Sequence, residues 1–452
     1  MMRTAFSLLA LSAAVVYAEG IVIAYPTPFT VVQRDAKDKG VIPLRGKITP
    51  PTAGATMQAR FAGGPWVPAG AQDKDGAFQG SIPGATGQGA LEIRQTDHPA
   101  VVTKVDPVAI GDVFVITGQS NADGRGGAMV QLKDGLPCLG AKYRAGAWSR
   151  GDDPSDSGGK HASPWPLVLN SLIPETKVPM AFIQTATGST VVRQWRGSGN
   201  MFVRMQKMVH AATGGTMRVR AVLYYQGEND ITHWNKQTVL GDYAEYKKHL
   251  ISMLDDTHAL LKAPILVGQI TNLLGFRDRN DNIRRAQQEV WTEHPHALPG
   301  ATAWDIFPTD GVHYRTADNM AAFAARWTFA IRNALYAEKP IPSPRLLKAK
   351  RDTDTTLSLH FARELAIAKW DGTAAKKALG FRFSLPDGTV LTDAHVTSTV
   401  VDGKTVQLRL AKPVPAGTKL SYGSGADGQG KPVLRDHDTG QPVPLVFGHA
   451  IE

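Results

Sequence analysis

Hydrophobic and polar positions divide the chain into three regimes. Between residues 19 and 109, the stretches IVIAYPTPFTVVQ, GVIPLRGKITP, ATMQARFAGG, GAFQGSIPG and GALEIRQT read as short strands separated by Gly, Pro and Asp-Gly turns. That spacing predicts a β-rich, sandwich-like domain. From 110 to 338, nearly unbroken apolar runs take over: Val113–Thr117, Val178–Ala186, Val219–Gln226, Ala263–Ile270 and Ala301–Phe307. Runs of this kind suit strands covered on both faces. Between them, apolar positions recur at helical spacing. Tyr243, Tyr246, Leu250, Met253, Leu254 and Leu261 mark one helix, and Ile283, Gln287, Val290 and Trp291 a second. Ala317–Ala337 marks a third, and Ser163-Pro164 before WPLVLNSLI is a helix start. Strand and helix in alternation predict a parallel sheet flanked by helices. Beyond the linker at Pro340, Pro342 and Pro344, the stretches TTLSLHF, LGFRFSL, TVQLRLA and KLSYGSG predict a second β-sandwich-like domain over 345–452.

The 452 residues exceed what one hydrophobic core serves, in keeping with several domains. Residues 1–18 stand apart. Arg3 precedes the apolar run AFSLLALSAAVV, and Val16-Tyr17-Ala18 ends it on residues that a signal peptidase accepts. We read a signal peptide cut after Ala18, and hence a secreted or periplasmic protein. The run is short for a membrane span, and no integral span is expected elsewhere. Cys138 is the only cysteine, so an intrachain disulfide, a CxxC redox pair and a thiolate-rich zinc site are excluded. Without a basic neighbour it reads as an inert packed thiol. The net charge of +10 is spread along the chain without a basic run, which argues against nucleic acid. It reads first as a solubility feature and second as mild attraction to an acidic glycan.

The chemistry belongs at the carboxyl ends of the central strands, where open parallel sheets bind ligands. The first run ends in Gly118-Gln119-Ser120-Asn121, the second leads to Gly188, the third to Gln226-Gly227-Glu228-Asn229-Asp230, and the fifth to Asp310 and His313. A serine hydroxyl needs a base to become a nucleophile. His313 can take its proton, and Asp310 can orient the imidazole. The oxyanion of an acyl-transfer intermediate would find donors in the backbone N–H groups of Ser120 and Gly188 and in a side-chain amide of Gln226 or Asn229. Each residue alone has a plainer reading: Ser120 as a turn or cap, Asp310 before Gly311 as a turn, His313 as structural, and Gln226 as a strand end. Their joint occurrence at one sheet edge outweighs those readings.

The blocks VFVITGQSN, TATGST with a following QW, YYQGEND and DGVHY, in that order, resemble the SGNH-hydrolase superfamily, and more narrowly the sialate O-acetylesterase-like carbohydrate esterases. The resemblance covers about Val108 to Ala337. It implies a flavodoxin-like three-layer α/β/α hydrolase domain flanked by N-terminal and C-terminal β-sandwich domains. It implies Ser120 as nucleophile, His313 as base and Asp310 as orienter, acting without a cofactor or metal on acetylated carbohydrate. Between the two amides it favours Gln226 and leaves Asn229 open. Ala122 departs from the larger apolar residue common after the Asn, which bears on the acyl pocket. Gln119, Glu228, Arg193 and Trp195 are candidate substrate contacts, although an ion pair is the plainer role for Arg193. Asp230, His233 and Trp234 could line the cleft. The His294–His296 segment reads as a surface loop and not as a metal site. Two rival functions are a lipase- or thioesterase-type SGNH hydrolase and a catalytically inactive glycan-binding protein. The absence of an extended apolar segment near Ser120 weighs against the first, and the complete Ser-His-Asp set against the second.

Overall fold

The computed structural model describes residues 20–52, 54–232, 235–273, 275–425 and 427–452. The signal peptide expected at 1–18, together with His233 and Trp234, lies outside the described residues. The chain divides into two compact units. The first takes described residues up to 27 together with 41–84 and 89–108; the second takes 28–40, 85–88 and 109–452.

The first unit is built of β-strands, several of them paired antiparallel. Gly20–Tyr25 pairs with Lys39–Thr49, and Thr56–Phe61 pairs with both Val67–Gln72 and Gly87–Gln95. These strands follow one continuous hydrogen-bonded path. Alternate positions turn inward, so that Ile42, Leu44, Met57, Ala59, Leu91 and Ile93 make the core.

The second unit contains the central sheet. Six parallel strands run in the order Gly140–Arg144, Met180–Gln184, Val102–Gly118 (through its residues from 112), Ala221–Tyr225, Ile265–Gln269 and Ala297–Thr302. Ala147–Arg150 adds an antiparallel edge to the first of them. The chain leaves the Val102–Gly118 strand on one side and later returns on the other, which makes the carboxyl end of that strand a topological switch point. Val113, Phe114, Val115 and Ile116 are all buried, as expected of a strand covered on both faces.

The helices Trp165–Thr176, Asn200–Ala212, Tyr243–Leu261, Arg277–Glu293 and Ala317–Leu335 pack on the sheet and on one another. Their starts are chemically marked. The Asp242 carboxylate accepts from the Glu245 N–H, and Thr316 Oγ1 accepts from the Asn319 N–H. The last helix buries Met320, Phe323, Ala324, Trp327 and Ile331, one stripe at helical spacing.

The fifth strand differs from the sequence expectation of Ala301–Phe307. It comprises Ala297–Thr302 and tolerates Pro299 because it is the edge of the parallel run. Trp304 and Asp305 then leave the sheet. Trp304 enters a core made otherwise from the C-terminal region, with Phe381, Leu408, Tyr422 and Val433, and its indole N–H donates to the Val443 carbonyl at 3.2 Å. That region consists of antiparallel sheets of four, two and four strands.

Asp305 is fully buried between Arg326 and Arg435. Burial pushes its carboxyl up, but the guanidiniums of Arg435 and Arg326 outweigh burial and hold it below the usual carboxylate range. The stabilisation is therefore complete above the ordinary carboxylate range and is lost as pH falls through the depressed native value. Asp305→Ala strands two buried guanidiniums. It is expected to destabilise the protein by about 3–5 kcal/mol, measured as a lowered midpoint in chemical denaturation.

Candidate active site

Four loops meet at the carboxyl end of the Val102–Gly118 strand. Gly118 takes φ +118°, and a Cβ there would overlap the Tyr225 carbonyl of the neighbouring strand, so the exit from the sheet requires glycine. The Gln119 N–H donates to that carbonyl at 3.0 Å. Ser120 opens a single helical turn, Ser120–Asp123, where its own N–H has no acceptor within the turn.

His313 Nε2 lies 3.0 Å from Ser120 Oγ, and His313 Nδ1 lies 3.0 Å from Asp310 Oδ2. An Nδ1–H donating to the carboxylate leaves Nε2 to accept the serine proton. The Asp310 loop is wound around its own carboxylate, which also accepts from the N–H groups of Val312 (3.0 Å) and His313 (2.6 Å) and from Arg315. Burial acts to raise Asp310, but these donors prevail and hold it well below the usual carboxylate range. Burial lowers the His313 pKa, the Asp310 carboxylate opposes this, and Arg315 and Arg125 add to the lowering. At neutral pH the imidazole is therefore the neutral, proton-accepting form.

Gly188 follows the Met180–Gln184 strand in a loop tied back to the Val102–Gly118 strand by Thr185 N–H to Ile116 O and Thr187 N–H to Gly118 O, both 3.0 Å. A Cβ at Gly188 would lie 3.8 Å from Ser120 Cβ and would collide with Arg125 Nη2. Glycine thus leaves room for a guanidinium as well as for backbone approach. Arg125 is itself anchored by the buried Asp123 carboxylate at 2.8 Å. Sequence reasoning gives Arg125 no role, although it sits in the glycine-flanked GRG directly after the Ser120 turn.

Several residues that the sequence nominates are placed differently. Both N–H directions of the Gln226 amide are engaged inside the protein, with Asp230 Oδ2 (2.6 Å), Thr190 O (3.2 Å) and Gln119 Oε1 (3.3 Å) as acceptors. Gln226, the favoured third oxyanion donor, is thereby committed elsewhere. Among the described residues, the side-chain amide of Asn229 makes a long contact, Nδ2 to Thr190 O at 3.4 Å. Gln119 is buried, and its Oε1 gathers the N–H groups of Gly227 and Asn229, which latches two loops together. Trp195 is buried with its indole N–H on Thr190 Oγ1, a core aromatic and not a sugar platform. Arg193 bonds His249 and Glu245, the ion-pair role. Asp230 does not line the cleft. It is buried among the N–H groups of Val192 and Val239 and the Gln226 amide, with burial raising its carboxyl to about 6. Glu228 is likewise 0% exposed, and burial pushes its carboxyl up to about 7. Cys138 is half-buried, and burial pushes its thiol up, away from thiolate chemistry.

Residues 110–322 match the model of the family described as carbohydrate esterase, sialic acid-specific acetylesterase. A protein of Arabidopsis thaliana described as a probable carbohydrate esterase is 25% identical over 217 residues, 42% of this chain and 78% of that protein. Among solved structures, a carbohydrate acetylesterase from Xanthomonas citri has the same fold, with a TM-score of 0.62 at 19% identity, covering 94% of this chain and 99% of that one.

The His313 ring is expected to titrate below the ordinary imidazole range in NMR measurements. Arg125→Gln should raise that value by removing a cation, and Asp310→Asn should lower it further by removing the stabilising carboxylate.

Proposed function

We propose that this chain, whose residues 110–322 match the model of the carbohydrate esterase, sialic acid-specific acetylesterase family, is a carboxylic ester hydrolase that removes O-acetyl groups from acetylated carbohydrate through an acyl-enzyme on Ser120. The observation that carries this reading is the connected chain from Ser120 Oγ through the His313 ring to Asp310, with 3.0 Å at both links.

In this mechanism Ser120 Oγ attacks the acetyl carbonyl carbon while its proton passes to His313 Nε2. The imidazolium that forms is steadied by Asp310, which remains ionised. The oxyanion is held by the N–H groups of Ser120 and Gly188, with the Asn229 amide as third donor in place of the committed Gln226. One such donor is worth ~3–4 kcal/mol of transition-state stabilisation. Collapse breaks the bond to the sugar oxygen, which takes the proton from Nε2 and leaves as the free hydroxyl. A water then attacks acetyl-Ser120, gives its proton to Nε2, and acetate departs as that proton returns to Ser120 Oγ.

The strand order supports a flavodoxin-like core of the three-layer kind: without the Gly140–Arg150 hairpin it reads 2-1-3-4-5 in chain numbering. The same reading takes residues 1–18 as an export leader, so the exported protein should begin at Glu19 on N-terminal sequencing.

Ser120→Ala should abolish hydrolysis of p-nitrophenyl acetate and release of acetate from acetylated sugars, with an unchanged circular dichroism spectrum. His313→Ala should be nearly inactive, and the wild-type rate should rise with pH through the His313 titration and level off by neutral pH. Full activity in Ser120→Ala would overturn the proposal. Acetate release across a panel of neutral and carboxylate-bearing acetylated glycans identifies the sugar.

A further inference from the structure

Asn121, the residue after the nucleophile, is buried and makes three hydrogen bonds. Its Nδ2 donates to the Val312 carbonyl at 3.0 Å and to Glu228 Oε1 at 2.7 Å, and its Oδ1 accepts from the Tyr314 N–H at 3.4 Å. Val312 and Tyr314 flank His313. One carboxamide therefore grips the backbone on both sides of the base and is itself attached to the nucleophile turn.

A carboxamide can be turned over, exchanging its donor and acceptor ends. The Val312 carbonyl, which only accepts, and the Tyr314 N–H, which only donates, set the orientation, and Glu228 Oε1 reinforces it by accepting from Nδ2 at 2.7 Å. Glu228 is fully buried, and its Oε2 has no hydrogen-bond partner among the described residues. A sealed carboxyl with one oxygen unpartnered is costly to keep. It stands behind the nucleophile turn, where no substrate contact explains it.

We propose that Glu228 is a positioning residue that steadies Asn121 and through it holds His313 in register with Ser120. The inference rests on the proposed Ser120–His313–Asp310 mechanism. Glu228 touches no reacting atom; it acts through the Asn121 amide and two backbone groups.

The test is a double-mutant cycle on the full chain, read as kcat and KM for p-nitrophenyl acetate. Glu228→Ala should lower kcat on the order of 10- to 100-fold with KM changed by less than about twofold, since a base moved out of register loses rate and not binding. Glu228→Gln keeps an acceptor at Oε1 and should restore most of the loss. Combined with Asn121→Ala, Glu228→Ala should add nearly nothing, because the two act as one unit. Glu228→Met fills the same space without an acceptor and replaces the alanine variant in the cycle if that variant fails to fold, as judged by thermal melting. Losses that multiply in the double variant, a loss carried by KM, or a kcat within about twofold of wild type in Glu228→Ala would each overturn the inference. Ser120→Ala separates the two claims. An inactive Ser120→Ala beside a wild-type-like Glu228→Ala defeats only the role of Glu228, whereas an active Ser120→Ala defeats the mechanism beneath it.

Discussion

The parallel pairing of the Val102–Gly118 strand with a neighbour on each side is the constraint from which the site follows. Met180–Gln184 pairs with it in the register Ala181↔Val113, and Ala221–Tyr225 in the register Leu223↔Ile116. Parallel strands end on the same edge, so the loops carrying Ser120, Gly188 and Asn229 emerge together. A slip of one residue would exchange the two buried faces of these strands, and side chains as different as Phe114 and Val113 or Val115 would no longer fit the packing on each side. The His313 loop has farther to come, because it follows the outermost strand, Ala297–Thr302. It is tied back by the Asn121 amide and by Tyr314, whose hydroxyl lies 3.1 Å from that of Tyr225.

Beneath the reacting groups lies a floor of buried polar side chains: Gln119, Gln226, Glu228 and Asp230. Such a floor adds little net stability, since a satisfied buried hydrogen bond contributes about 1 kcal/mol and an unsatisfied group costs ~1–3 kcal/mol. Its effect is directional. Gln119 Oε1 fixes the backbone of Gly227 and Asn229, and Asp230 fixes Val192 and Val239. Each loop is held by acceptors with few alternatives, which restricts where Ser120, Gly188 and Asn229 can sit.

How far this is legible in the sequence depends on whether a residue announces its environment. The continuous apolar runs mark four of the central strands and overlap only the end of the fifth, and Ser120, Asp310 and His313, though up to 193 residues apart, are recognisable because each ends or follows such a run. The Gly140–Arg144 and Ala147–Arg150 hairpin escapes a reading of the pattern because Lys142, Arg144 and Arg150 interrupt its apolar positions. The Asn200–Ala212 helix escapes it too, although Phe202, Met205, Val209 and Ala212 carry its stripe. Polar residues in the QGEND block are the least legible. Spacing shows that Gln226, Glu228 and Asp230 sit near the site, but not whether they face a substrate or the interior; only packing separates the two. Trp195 misleads for the same reason, a large aromatic being as suited to a core as to a sugar.

The Trp304 side chain belongs to one stretch of chain and to the hydrophobic core of another. The helices of the central region also reach into the C-terminal segment: Arg277 pairs with Asp427, Asp281 accepts from the Gly425 N–H, and Gln429 Nε2 donates to Thr271 Oγ1. Thr271 in turn donates its N–H to the Tyr225 hydroxyl that meets Tyr314. A recombination junction in the proline-rich 340–344 stretch would therefore divide a shared core. A foreign C-terminal module grafted there would have to supply its own socket for the Trp304 indole.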